Sequence, residues 1–358
     1  MGAMNSDAQP IRSRGTGDNP VNRFEKIELE RDADWNPEAE EEKGPATQFL
    51  RDLSSTIISY TDSPDVGFEA SINPYRGCEH GCIYCYARPT HEYLGFSAGL
   101  DFETKIMVKE RAAELLRKEL ASPKWKPQVI AMSGVTDCYQ PVERRLKLTR
   151  QCLEVLAEFR NPVAMITKNH LITRDVDLLS DLAQHKAAAA FVSITTLNNE
   201  LRRVMEPRTS PPASRLKTIA ELTRAGIPTG VMVAPVLPGL TDHELPAILA
   251  AAAEAGAKFA GYVTLRLPHG VGPLFEQWLG DHFPNQKEKV LNRIRALRDG
   301  KLNEAQFGSR MRGKGIFADQ IEALFDVACR KAGINKRGLG LSTAAFRRPE
   351  GAQLGLGF

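Results

Sequence analysis

Cys78, Cys82 and Cys85 fall within one short run, Asn73-Pro-Tyr-Arg-Gly-Cys-Glu-His-Gly-Cys-Ile-Tyr-Cys-Tyr-Ala-Arg88. Thiolate is the soft ligand that iron-sulfur clusters and zinc prefer, and a loop with two glycines can turn three sulfurs toward one centre. No fourth ligand stands in the spacing. A structural zinc is closed and four-coordinate, and would need His80 or His91 to complete it. A four-iron cluster would keep one iron open for another molecule. Three inert thiols are the remaining reading.

Other residues of the right chemistry lie where strands are expected to end. Ser133-Gly-Val-Thr-Asp137 offers a glycine that lets backbone approach a ligand and a carboxylate that accepts from an ammonium group or caps the next helix. Lys168, Ser193, Thr195 and Thr196 supply a cation and hydroxyls able to bind a carboxylate and a ribose. Arg266 stands between apolar neighbours and must find an anion, either an internal carboxylate or a ligand. Glu206 and Arg208 either reach the same place or pair with each other. Cys152 and Cys329 sit in helical patterns and read as buried small hydrophobes.

The elements that must position these residues alternate. Short apolar runs predict strands at 68–73, 129–132, 163–167, 189–195, 229–235 and 260–267, with a further short strand at 56–60. Helical spacing predicts helices at 103–120, 142–159, 175–184, 212–225 and 242–255 between them. Strand and helix at this rhythm imply crossover units and a parallel sheet, closed as a barrel or open and doubly wound. In a barrel, the strand ends and the loops beyond them share one face with the cysteine loop. After Pro268 the rhythm stops and helices are expected at 273–279, 285–297 and 317–331, beside a run rich in glycine and arginine at 306–315. The expected organisation is a flexible acidic tail over 1–52, a barrel over 53–270 and a basic α-rich extension over 271–358.

Composition sets the outer limits. With 358 residues, 42% of them hydrophobic, the chain can bury a sizeable core. No apolar run is long enough to cross a bilayer and the N-terminus does not read as a signal peptide, so a cytoplasmic protein without a membrane partner is expected. Six cysteines are a poor disulfide framework for this length and fit a reducing compartment. The net charge of +3 is unevenly spread. Glu28 to Glu42 holds eight acids against Arg31, whereas residues 285–358 hold fifteen Lys and Arg against seven Asp and Glu. A basic terminal region suits a nucleic-acid partner or a solvated surface.

The spacing C-x3-C-x2-C with an aromatic before the last cysteine resembles the radical SAM superfamily. That resemblance implies an α/β fold, a partial (β/α)6 TIM-type barrel, with a [4Fe-4S] cluster on Cys78, Cys82 and Cys85 and S-adenosylmethionine on the open iron. It implies that Ser133, Gly134, Thr136, Asp137, Lys168, Ser193, Thr195 and Arg266 bind the cofactor. It also implies an electron donor of flavodoxin or ferredoxin type. Asn73-Pro-Tyr-Arg-Gly-Cys, Cys82-Ile-Tyr-Cys-Tyr86, Thr-Asp137, Thr-Lys168 and the Ser193 strand resemble the spore photoproduct lyase-like branch. In that branch a thymine dimer lesion is repaired and tyrosines matching Tyr84 and Tyr86 relay hydrogen atoms; a phenol at either position can equally well pack. The branch carries a hydrogen-donating cysteine three residues before the Asp, where this chain has Gly134. Cys138 is the thiol at hand, and it takes that role only if the loop is rearranged. The expected substrate is a damaged or modified nucleic acid, with a peptide or small metabolite, or a non-catalytic iron-sulfur sensing role, as the alternatives.

Overall fold

The computed structural model describes residues 11, 13–24, 45–336, 338 and 340–349. The whole acidic run and the first ten residues lie outside that set. In chain order the strands are β1 (Gln48–Arg51), β2 (Ile58–Tyr60), β3 (Ala70–Ile72), β4 (Tyr75–Arg76), β5 (Lys105–Val108), β6 (Ile130–Met132), β7 (Val163–Thr167), β8 (Ala188–Ser193), β9 (Thr229–Val236) and β10 (Phe259–Thr264). The helices are α1 (Leu100–Thr104), α2 (Ala112–Ala121), α3 (Glu143–Leu146), α4 (Leu148–Phe159), α5 (Val176–Gln184), α6 (Asn199–Met205), α7 (Pro212–Arg224), α8 (Leu245–Glu254), α9 (Val271–His282), α10 (Lys287–Leu297) and α11 (Ile316–Ala332).

The main sheet runs β10-β9-β8-β7-β6-β3-β2, parallel throughout except for the antiparallel edge strand β2. Its six parallel strands follow one another in sequence order, so each step is a crossover of the kind a partial (β/α)6 barrel needs. Strands such as β6 and β8 are apolar on both faces because helices cover one side and the barrel interior the other. The larger core joins the sheet to α2, α4, α5, α8 and α11, through Ile72, Leu116, Leu153, Leu182, Val231, Leu249 and Phe325. A second core packs Cys82, Ile83 and Tyr84 against Met205, Leu265, Phe275 and Trp278, so α6 and α9 brace the cysteine loop.

Three expectations are corrected. Residues 105–108 lie within the helix expected over 103–120, yet form β5, parallel to β1 and antiparallel to β4. Ile106 and Val108 are buried while Lys105 and Met107 are partly exposed, a period of two that is stable only once the remote β1 arrives to pair with it. β1 itself lies in the segment read as tail. Residues 13–24 are docked as well: Leu100 donates to the carbonyl of Asp18 at 3.0 Å, Asn19 donates to Asp101 at 3.1 Å, and Arg23 pairs with Glu92 at 2.7 Å. Polar and backbone contacts hold this strap, which is why apolar periodicity did not reveal it.

The C-terminal helices close the open side of the sheet. α11 packs on α8, and Asn335 exchanges backbone hydrogen bonds with Lys258 and Ala260 along the free edge of β10. Further on, Met311 accepts from Thr264 N at 2.9 Å, while Gly308 N donates to Asp65 in the β2–β3 turn at 2.7 Å. The 308–312 segment therefore spans the seam between the two ends of the sheet. Among the described residues no helix is long and apolar enough to cross a membrane.

Candidate active site

The cysteine loop leaves β4 and is held by its own neighbours. Gly77 and Gly81 have φ of +81° and +66°, the left-handed region that glycine enters without strain. A side chain at Gly81 would lie 2.6 Å from Glu103 Oε2. Glu103, fully buried, pairs with the fully buried Arg88 at 2.5 Å, and Arg88 Nε donates to the carbonyl of Cys82 at 3.0 Å. Gln140 donates to the Gly77 carbonyl and accepts from Glu79 N. Cys78 and Cys82 are buried, Cys85 is half-buried, and all three are free thiols.

The strand-end residues converge on this loop in different ways. Asp137 accepts from Tyr139 N at 2.9 Å, Thr167 Oγ1 at 2.8 Å and Lys168 N at 2.8 Å, and faces His80 Nδ1 at 3.4 Å. Burial pushes its carboxyl up, but the neighbouring His80 and the hydrogen bonds from Lys168 N and Tyr139 N bring it down to about 2. It ties the end of β7 to the cysteine loop and has internal partners on both oxygens. Thr136 donates to the Tyr75 carbonyl at 2.8 Å, and Ser133, at φ +78°, accepts from Cys138 N at 2.9 Å. Thr195 is fully buried and donates to Glu206 at 2.5 Å, so its hydroxyl is a strut. Lys168 lies with its Nζ 5.9 Å from the ring centroid of Tyr84, and Ser193 is 2% exposed beside it in the fold at the end of β8.

Two tyrosines flank Cys85 and differ. Tyr84 is buried and donates to Glu206, which also receives Arg215. Burial raises Glu206, yet Arg215, Lys168 and the hydrogen bonds from Thr195 and Tyr84 bring it down to about 2. Glu206 and Arg208 therefore do not pair with each other; Arg208 pairs with Glu79 at 3.1 Å. Tyr86 is 47% exposed, donates to the Gly134 carbonyl at 2.7 Å and lies under the guanidinium of Arg266, 5.1 Å from its ring centroid. Cys138 is the correction here. It is fully buried within the larger core, and burial pushes its thiol well up, so it does not open onto the site. Arg88, Glu103 and Arg215 were missed; Arg215 had a signal, since it shares the buried stripe of α7 with Pro212, Thr218, Ile219 and Leu222.

The thiols themselves test which centre fits. Burial pushes all three up, with Asp137 adding to the effect at Cys78, Glu206 at Cys82, and Lys168 opposing it at Cys82 and Cys85. Two buried thiols and a half-buried third in a loop fixed this firmly make sense as thiolates on a cationic centre. Among the described residues no three His, Cys, Asp or Glu converge as ligands of a single metal ion. His80 is committed to Asp137 and Asn169, and His91 lies between the rings of Phe96 and Phe102. The set fits a cluster with one thiolate per iron better than a closed zinc site.

Comparison with known proteins agrees. The family model for the radical SAM superfamily matches residues 72–252. An uncharacterized protein of Mycobacterium tuberculosis is 39% identical over 245 residues, 68% of this chain and 71% of that one. A radical SAM Nalpha-GlyT isomerase of Pseudomonas phage M6 is 26% identical over 172 residues, 48% of this chain and 34% of that one. Among solved structures, spore photoproduct lyase complexed with dinucleoside spore photoproduct superimposes with a TM-score of 0.58 over 79% of each chain at 16% identity, a likeness of fold alone. The chain belongs to the radical SAM superfamily, enzymes that work with a [4Fe-4S] cluster and S-adenosylmethionine and draw on a reductant.

Proposed function

We propose that this enzyme acts on a damaged or modified nucleic acid, with Cys78, Cys82 and Cys85 as the cluster ligands and Tyr86 as the side chain that meets the substrate. The chemistry the bound cofactors supply is reductive cleavage of S-adenosylmethionine to a hydrogen-abstracting 5′-deoxyadenosyl radical. The chain's own part is to position. Lys168 and Ser193 lie at the ends of adjacent strands, where a cation and a hydroxyl suit the carboxylate and ribose of the cofactor. The Ser133–Val135 backbone lines the same end of β6. Asp137 acts through the loop, holding His80 and the start of Lys168 in place.

The observation that carries this reading is Tyr86. It directly follows the last cluster cysteine, is half exposed, and its hydroxyl is pinned to Gly134, the position at which the photoproduct lyases have their donor cysteine. A phenol held there can give a hydrogen atom to a substrate radical, the task that Gly134 cannot perform. The nucleic-acid class is supported by the basic 285–358 region and by the fold likeness to a structure that holds a dinucleoside lesion. A nucleotide reaching this mouth must leave the stack. The test is anaerobic reconstitution with dithionite and S-adenosylmethionine, with and without ultraviolet-irradiated DNA. Stimulated 5′-deoxyadenosine formation and label exchange between lesion and cofactor are expected. Cleavage that no nucleic acid stimulates, but a peptide or metabolite does, overturns the substrate class.

A further inference from the structure

The C-terminal end of β10 gathers arginines that the cofactor chemistry leaves unexplained. Arg266 stacks on Tyr86, and among the described residues no carboxylate ion-pairs with it. Arg298, 1% exposed, donates only to the carbonyls of Thr264, Leu265 and Ser309, and its Nε has no partner. Arg310 pairs with Asp65, donates to Ser63 Oγ at 2.5 Å and lies 4.4 Å from the ring centroid of Phe307. One carboxylate thus contacts one of three neighbouring guanidiniums. Burial lowers Arg266, and the charge of Arg310 lowers it further, so the two cations feel each other. Partly buried cations packed this way call for an anion.

We infer that Arg266 and Arg310 form a phosphate-binding rim across the seam of the barrel, with Phe307 as a stacking platform for a neighbouring base. The placement fits a strand rather than a free anion. Arg266 sits directly over the tyrosine that meets the substrate, Arg310 lies on the segment that bridges to Asp65, and Phe307 is 52% exposed beside it. A guanidinium offers two parallel donors to a phosphodiester, and an exposed aromatic next to it takes the face of any base. Gly308, at φ +83°, turns the chain between the two. This inference rests on the nucleic-acid reading for its ligand and on the arginine geometry for its place. It moves Arg266 from the cofactor to the substrate.

The experiment uses the reconstituted full chain with S-adenosylmethionine and a fluorescein-labelled single-stranded oligothymidylate of about a dozen nucleotides, in a salt series under anaerobic conditions. R266Q and R310Q are each expected to weaken binding about tenfold and to lower the salt slope by about one, whereas F307A weakens it without changing the slope. R266K keeps the charge and is expected to retain the slope with part of the affinity, which separates a lost contact from a collapsed fold. K217Q, on the outer face of α7 where Lys217 pairs with Glu221, serves as the control cation. Wild-type affinity and slope in R266Q overturn the rim and leave the nucleic-acid reading standing. Failure of the wild type to bind the oligonucleotide, with thermal stabilisation by inorganic phosphate that R266Q abolishes, keeps the rim and overturns the nucleic-acid reading. Neither response overturns both.

Discussion

Tyr84, the residue immediately before Cys85, donates its phenolic hydrogen bond to Glu206, which lies beyond β8 and is fully buried. The same carboxylate holds Thr195 and the guanidinium of Arg215, itself fully buried. One acid thus joins the cysteine loop to β8 and α7. Replacing it by Glu206→Gln keeps the shape and leaves Arg215 as a buried cation without its anion. The expected cost is about 3 kcal/mol or more, on the order of 5–10 °C in Tm, measured by thermal unfolding of the metal-free chain. A loss below about 0.5 kcal/mol would show that the pair is dispensable.

The same carboxylate predicts how stability responds to acid. Its folded pKa of about 2 lies below the ordinary 4.5, so the folded state binds this proton less readily than the unfolded state. The stability it contributes is complete above about pH 4.5 and is lost as pH falls through about 2. Urea midpoints of the wild type and Glu206→Gln are therefore expected to differ most above pH 4.5 and to converge toward pH 2. A gap that stays constant across that window contradicts the assignment.

The sheet was legible because each parallel strand is a short apolar run between turn residues, as in Val163–Thr167. Cys78, Cys82 and Cys85 stand out in the sequence because soft ligands at close spacing leave few other uses, and the fold places them together in one firmly held loop. What escaped depends on partners far away in sequence. Ile106 and Val108 read as part of a helix because nothing local announces that residues 48–51 will pair with them. Glu206 reads as reaching the site or pairing with Arg208, and nothing local announces Arg215 as its partner; only the position of Arg215 on an apolar helical stripe betrays its burial. The docking of residues 13–24 is written in hydrogen bonds, which leave no hydropathy pattern.

Cys138 and the three cysteines proposed as cluster ligands should separate cleanly on substitution. Single Ala replacements of Cys78, Cys82 or Cys85 each remove one thiolate and are expected to abolish a stable cluster, with iron falling far below about four per chain and the visible absorbance lost. Cys138 is buried in the apolar core, so Cys138→Ala is expected to cost about 1 kcal/mol and to retain full iron content. Iron analysis and Tm on anaerobically reconstituted protein read both effects. Loss of iron in Cys138→Ala would return that thiol to the site.

Tyr86 and Tyr84 predict opposite phenotypes for the same change. Tyr86→Phe removes a half-exposed hydroxyl bonded to a carbonyl, so little stability is lost, while the ratio of 5′-deoxyadenosine to product is expected to rise because substrate radicals lose their hydrogen source. Tyr84→Phe removes a buried hydrogen bond to a charged group and is expected to cost about 1.5–3 kcal/mol. Product ratio and Tm measured on both variants decide the matter. A coupled, wild-type ratio in Tyr86→Phe excludes it as the donor.

Gly15 tests whether the strap belongs to the site. Its N–H donates to Glu103 Oε2 at 2.9 Å, and a Cβ built on it would lie 1.7 Å from the carbonyl oxygen of Gly81, inside the cysteine loop. No side chain can yield there, because the obstacle is backbone. Gly15→Ala must therefore lift the strap or move the loop. Lifting it exposes Glu103 and Arg88, the buried pair that holds the Cys82 carbonyl. The expected outcome is faster proteolytic cleavage within residues 13–24 and quicker loss of iron from the reconstituted enzyme, with global Tm changed less than by Glu206→Gln. Deleting residues 1–24 should reproduce the iron loss. Unchanged proteolysis and iron retention in both variants would mean that the strap rests on the cysteine loop without supporting it.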